Sequence, residues 1–255
     1  MTTLHALIFG LVEGFTEFLP ISSTAHLILT AKLLGLSQSD YLKSFEIIIQ
    51  LGAILAVIVL YWKSLFNWEV IKRLVVAFFP TGLLGVLFYK IIKLYFFENT
   101  SLMLWALLLG GFVLIAFEKM YKEPQGKMPS VAEIPYSTCV MLGLFQSIAM
   151  IPGVSRSGAT IVGGLALGLQ KKTIVEFSFL LAVPTMLAAS ALDIYKNASS
   201  FTADQSMLLS IGFVTSFIMA LLSIKFLLAS IQKKTFTAFG LYRIGIAALF
   251  MFALS

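Results

Sequence analysis

Cysteine is almost missing from this chain. Cys139 stands alone among 255 residues, so no internal disulfide can form, and a single thiol gives no support to a soft-metal site. Charge is scarce too: Asp, Glu, Lys and Arg make up 12% of the sequence, against roughly a quarter in soluble domains, while 59% is hydrophobic. Too little charge is left to cover a water-soluble globule, and lipid must be the main solvent. Met1-Thr2-Thr3-Leu4-His5 lacks the basic region of a signal peptide, and Glu13 and Glu17 interrupt the apolar stretch behind it, so no cleaved leader is expected. Two-residue alternation is missing from the apolar runs, which argues against the strands of a membrane barrel.

What is present is a series of long apolar runs, at 45–62, 74–96, 102–118, 174–194, 207–229 and 236–254. Each comes close to the ~20 residues that a helix needs to cross a bilayer. Unpaired backbone is very costly in hydrocarbon, so the expected fold is all-α, a polytopic membrane protein with about six transmembrane helices. The net charge of +6 reports topology. Its lysines sit at the ends of apolar runs and form no basic stripe with interleaved aromatics, so nucleic acid is not an expected partner. The basic groups near Lys63, Lys72 and Arg73, near Lys119, Lys122 and Lys127, and at Lys233-Lys234 fall on one side, which the positive-inside rule makes the cytoplasm. The loops at Glu98 to Ser101 and Asn197 to Gln205 then face outward. So do the loop at Leu36 to Lys43 and the C-terminus, while Lys171-Lys172 faces inward.

Two regions do not fit a simple span. Residues 4–33 and 136–168 are apolar but broken by Pro, Gly and hydroxyl residues, the pattern of re-entrant helix hairpins, which lipid tolerates only where protein or a water-filled cavity satisfies the freed backbone. The two are also related: the segment from Leu11 to Ser23 lies over that from Leu144 to Arg156 at constant offset, and an apolar span follows each, Phe45 to Trp62 and Phe177 to Ile194. The expectation is a single membrane domain, 1–255, holding repeat one over about 4–62 and repeat two over about 136–194. The charge pattern makes these repeats inverted, with their tips meeting near the midplane.

The reactive residues gather at those tips. Glu13 and Glu17, four residues apart, share a helix face, and two carboxylates so close need a divalent metal, an arginine or a shared proton. Pro20 ends that half-helix, and Ser22, Ser23 and Thr24 offer N-cap hydroxyls to the next. His26 follows Ser23 by one turn, so a hydroxyl lies beside a potential base. Ser-x-x-His says little alone; the two acids and the helix break beside it point to an activated nucleophile, or to a histidine nucleophile with the serine positioning the substrate. In the second hairpin, Pro152-Gly153-Val154-Ser155-Arg156-Ser157-Gly158-Ala159-Thr160 repeats the break and starts another helix. A helix N-terminus is a ready anion site, and Arg156 adds a planar fork suited to phosphate oxygens or to holding Glu13 or Glu17. Gly153 and Gly158 let ligand and backbone approach closely. Gln146 and Met150 stand where the first hairpin has its acids. Together the hairpins hold the parts for phosphate-ester hydrolysis.

The stretches Val12-Glu13-Gly14-Phe15-Thr16-Glu17-Phe18-Leu19-Pro20-Ile21-Ser22-Ser23-Thr24-Ala25-His26-Leu27 and Pro152 to Thr160, with Phe45-Glu46-Ile47-Ile48-Ile49-Gln50-Leu51-Gly52-Ala53-Ile54-Leu55-Ala56 between them, resemble the undecaprenyl-diphosphatase, or bacitracin-resistance, family. The resemblance covers the chain in length and span order. Ala25 stands where glycine is common in the family, and Phe15 where leucine is. The resemblance implies hydrolysis of undecaprenyl diphosphate to undecaprenyl phosphate and phosphate in the bacterial inner membrane, at a site open to the outer side. It also implies a divalent cation, Mg2+ or Ca2+. Carried onto these positions, Glu13 and Glu17 are the essential acids and metal ligands, Ser23 or His26 the nucleophile, and Arg156 the phosphate clamp. Ser22, Ser155, Ser157 and Thr160 support them, with Thr24 and Gly153 also against the substrate. The partners are the polyprenyl diphosphate and the bilayer, and a homodimer is compatible. Inverted repeats are also the plan of secondary transporters, so a lipid-phosphate carrier or flippase is the rival class; a channel is not, because so asymmetric a site builds no ring of like groups.

Overall fold

The structure, a computed structural model, describes residues 1–37, 39–95, 99–124, 130–197, 206–233 and 235–253. Among these the chain is helical, with no strand: α1 Thr3–Thr16, α2 Ser23–Leu33, α3 Asp40–Leu65, α4 Trp68–Tyr95, α5 Thr100–Met120, α6 Tyr136–Ser147, α7 Arg156–Ala166, α8 Lys171–Asn197, α9 Ser206–Lys233 and α10 Thr237–Ala253. Five stretches are long and apolar enough to cross a bilayer, Tyr41–Leu65, Trp68–Phe88, Thr100–Met120, Lys171–Ala191 and Ser206–Ile231. They correspond to the first five predicted runs. The sixth run forms α10, which at 17 residues is a shorter apolar helix. The predicted outward loop at 198–205, together with Glu98, Lys127 and Lys234, lies outside the described residues.

Helices here meet through small residues, as expected where lipid removes the usual drive to bury apolar groups and close backbone approach supplies the contact. α1 packs mainly on α9: a Cβ on Gly14 would strike the carbonyl of Ser216, and one on Gly10 the carbonyl of Gly212. α6 packs mainly on α4, where Gly143 lies against the Ala77 carbonyl and accepts a hydrogen bond from the Thr81 hydroxyl at 2.9 Å. α5 crosses α10 at Gly111 and Gly240. α3 packs against both α9 and α8. The largest apolar core runs through Phe18, Ile54, Leu142, Phe177 and Leu180. This packing threads the two interrupted segments, α1–α2 and α6–α7, between the long helices, so their irregular tips meet inside the protein.

Beside the α7–α8 turn, Lys171 pairs with Glu118 at 2.5 Å, with side chains only 15% and 7% exposed, and its ammonium lies over the Tyr121 and Phe236 rings. A cavity of about 290 Å³ between the α3–α4 turn and α8, lined by Lys63, Asn67, Ser130 and Glu176 among others, holds none of the predicted site residues.

Candidate active site

Both interrupted segments reach the interior by the same backbone device. α1 stops at Thr16 because Pro20 has no N–H to return to the Thr16 carbonyl. The chain then turns through Glu17 to Ile21, closed by Ile21 N–H on Leu19 O at 2.8 Å, and enters α2 through Ser22 at φ 71°. In the other segment the chain leaves α6, makes one tight turn at Ile148–Met150, passes Gly153 at φ 96° and enters α7 through Ser155 at φ 77°. Gly153 cannot be replaced without a clash, since a Cβ would strike the Met103 carbonyl. Positive φ at a serine costs roughly 1–3 kcal/mol and concentrates at functional sites; these two serines hold equivalent positions in the two segments.

Only one of them caps its helix by side chain. The Ser155 hydroxyl accepts from Gly158 N–H at 3.2 Å, whereas that of Ser22 makes no cap hydrogen bond. The expectation that the hydroxyls of Ser22, Ser23 and Thr24 cap α2 is corrected here for Ser22 and Ser23. The first holds an unusual backbone angle, and the second is drawn to a carboxylate.

That carboxylate is Glu17, and both of its oxygens are in use. Oε2 accepts a hydrogen bond from the Ser23 hydroxyl, and Oε1 accepts from Arg156 Nη2 at 3.0 Å. Arg156 also donates through Nη1 to Ser178 O at 2.8 Å and lies over the Phe18 ring, 5.8 Å from its centroid. Its Nε is buried without a partner. The two side chains of the ion pair are 12% and 6% exposed, so water does little to weaken it. Ser23, Glu17 and Arg156 thus come from three pieces of chain onto one wall of a cavity of about 190 Å³.

The other predicted residues divide into two groups. Ser22, Thr24, Gly153 and Ser155 line the same cavity. Ser157 donates to Leu19 O at 2.8 Å and Thr160 to Arg156 O at 2.9 Å, so these two hydroxyls brace the backbone. His26 does not meet Ser23 through a hydrogen bond. Its Nδ1 lies 2.7 Å from Ser22 O, which can only accept, so that nitrogen carries the proton. Its Nε2 meets the Tyr242 hydroxyl at 2.9 Å, the two rings stacked 5.5 Å apart.

Glu13 lies one turn behind Glu17, fully buried, and neither of its oxygens has a hydrogen-bond partner. The charges of Glu17, Glu46 and Arg156 all act on it. Among the described residues no three His, Cys, Asp or Glu side chains form a group that could hold a metal ion by themselves. The orphaned oxygens of Glu13, one turn from the Glu17 carboxylate, are nevertheless hard donors. They fit a divalent cation of the kind that takes one or two carboxylates and completes its shell with phosphate oxygens and water.

Sequence reading missed several contributors. Thr81 and Thr185, each directly after a proline inside a helix, spend their protons on Gly143 O at 2.9 Å and Leu181 O at 2.7 Å. Their oxygens are left to receive the Gln146 amide at 3.0 and 3.1 Å. All three line the cavity, with Gln50. The Pro-Thr pairs were the signal available. Tyr242 and Arg243, adjacent in an apolar run, offered only the rarity of an arginine at that depth.

The helix lengths and the small-residue crossings define the class: a helical, multi-pass membrane protein with a cavity shared by its two interrupted segments. The chain belongs to the bacitracin resistance protein BacA family, whose model matches residues 6–249. It is 52% identical over 250 residues to an undecaprenyl-diphosphatase of Sulfurihydrogenibium sp. strain YO3AOP1, covering 98% of each chain. It is 50% identical over 257 residues to the undecaprenyl-diphosphatase of Aquifex aeolicus, covering 99% of this chain and all of the relative, and 49% identical over 255 residues to that of Wolinella succinogenes, covering 100% and 99%.

Proposed function

We propose that this protein is an undecaprenyl-diphosphate phosphatase of the bacterial inner membrane, releasing inorganic phosphate and returning undecaprenyl phosphate to cell-wall synthesis. The observation that carries the proposal is the single carboxylate of Glu17, held between a serine hydroxyl and a guanidinium beneath two helix starts. Names of full-length relatives at about half identity support the same substrate.

The terminal phosphate of the diphosphate would enter the cavity while the polyprenyl tail stays in lipid. Arg156 meets it with its guanidinium, and the opening N–H groups of α2 and α7 add positive ends. Ser23 Oγ attacks the terminal phosphorus as Glu17 takes its proton. The new bond is Ser–O–P; the bridging P–O bond breaks, and undecaprenyl phosphate leaves. Water then cleaves the phosphoserine and phosphate departs. His26 keeps Ser22 and the start of α2 in register through its Nδ1–H. A divalent cation, Mg2+ or Ca2+, would be held by Glu17 and Glu13 and would supply neutralising charge to the phosphate oxygens.

The two interrupted segments are read as inverted re-entrant hairpins meeting near the midplane. Support comes from the equivalent strained serines and from the exchanged packing of α1 on α9 and α6 on α4. With the positive-inside assignment, the first hairpin enters from outside and the cavity opens outward.

The test is phosphate release from C55 diphosphate by purified protein in detergent, with acid quench of a labelled substrate to locate bound phosphate. Label on Ser23, and no turnover by Ser23→Ala, is expected. Label on His26, or full activity of Ser23→Ala, refutes the assignment of the nucleophile.

A further inference from the structure

One more charged group is enclosed in this molecule, and the mechanism above makes no use of it. Arg243 on α10 is 1% exposed. Its five hydrogen bonds all go to main-chain carbonyls: Nε to Leu107 at 3.1 Å, Nη2 to Ala106 at 3.2 Å and Gly153 at 2.8 Å, Nη1 to Pro20 at 3.1 Å and Val154 at 3.0 Å. Two of these carbonyls belong to α5. The other three belong to the breaks that lead into α2 and α7, and Pro20 and Gly153 hold the same position in the two segments, at the offset that relates Ser22 to Ser155. Space for the guanidinium exists because residue 110 is glycine; a Cβ there would overlap Arg243 Nη2 and Cζ. An arginine buried at membrane depth is expensive, so a pocket cut to its shape, with five acceptors for its five donors, marks a purpose.

We propose that Arg243 is a positioning residue for the phosphate site, a role that rests on the phosphatase reading given above. It is not part of the cavity wall and acts through the backbone. All peptide bonds here are trans, so each amide N–H points opposite to the carbonyl of its own peptide unit. With the Val154 carbonyl drawn onto Arg243, the Ser155 N–H that opens α7 is directed away from it. With the Gly153 carbonyl held likewise, Val154 N–H closes its turn on Ile151 O at 3.1 Å. Arg243 therefore keeps three carbonyl oxygens, the negative ends of their dipoles, turned from an incoming diphosphate. In doing so it fixes the starts of two helices whose first residues, Ser22, Ser23, Thr24, Ser155 and Arg156, line the cavity. Its fixed positive charge adds to the pull on an anion.

The test uses full-length protein in detergent, measuring the affinity for inorganic pyrophosphate by calorimetry beside kcat and KM for C55 diphosphate, all per folded molecule. Arg243→Met should weaken pyrophosphate binding about ten- to hundredfold and raise KM in parallel. Arg243→Lys, which keeps the charge and three donors, should recover part of the loss. Lys171→Met, which breaks the remote pair with Glu118, should lower thermal stability and leave pyrophosphate affinity alone. Should Arg243→Met fail to fold, Gly110→Ala replaces it, because it displaces the guanidinium while keeping the arginine; it should lose affinity in the same direction. Wild-type affinity for pyrophosphate in whichever of these two folds, with only a lower melting temperature, would make Arg243 a structural residue and overturn the proposal. Pyrophosphate binding that depends on Arg243 in a protein unable to hydrolyse the lipid would instead sink the phosphatase reading.

Discussion

Replacing Glu17 by glutamine changes one oxygen for an amide group of nearly the same size, so its effects can be worked out from two hydrogen bonds. The amide oxygen can still accept from Arg156 Nη2, now as a neutral acceptor, and Arg156 keeps its bond to Ser178 O at 2.8 Å. Removing one charge from a buried pair can cost about 3–5 kcal/mol when its partner is stranded. Here the partner is not stranded, and a loss of about 1–2 kcal/mol, the difference between a charge-assisted and a neutral bond, is expected. Chemistry suffers more. The amide NH2 would face the Ser23 hydroxyl and cannot take its proton, so the base contribution of roughly 10²–10⁴ in rate disappears, about 3–5 kcal/mol of barrier. Phosphate release from C55 diphosphate in detergent, corrected for the folded fraction from a melting curve, measures both effects. A Glu17→Gln enzyme within about threefold of wild-type kcat would refute the assignment of Glu17 as the base, whatever its stability.

Other outcomes can be checked in the same preparation. Chelation by EDTA should abolish phosphate release and Mg2+ should restore it; Glu13→Gln should raise the Mg2+ concentration for half activity by about tenfold or more, read from a titration. Gly143→Val should lower the melting temperature by the equivalent of about 1–3 kcal/mol or more, because its side chain would be forced against the Ala77 carbonyl and part α6 from α4. Lys171→Met should cost about 3 kcal/mol of stability, its pair with Glu118 being largely buried, while kcat per folded molecule stays unchanged.

How much of this was legible in sequence depends on how locally each feature is written. Apolar runs announce long helices because lipid imposes composition and length together, and five of them became helices long enough to span. The two breaks were legible through Pro20, Pro152 and Gly153, whose backbone limits act within a few residues. Glu17, Ser23 and Arg156 could be nominated, but the partner of Ser23 could not. Helical spacing pointed to His26 one turn on, whereas the chain folds back through residues 17–22 and offers the hydroxyl a carboxylate from behind. His26 is engaged on both nitrogens elsewhere. Thr81, Thr185, Tyr242 and Arg243 escaped notice because their partners lie far along the chain, and an apolar helix carries no pattern that points to a distant acceptor.

The dependence of both breaks on α10 bears on how the molecule is made. Ribosomes deliver α1, α2, α6 and α7 into the bilayer well before the helix bearing Arg243, and until it arrives the carbonyls of Pro20, Gly153 and Val154 lack the donors that hold them. The shape of the two helix starts is therefore completed by a segment made long after them, once α10 packs against α5.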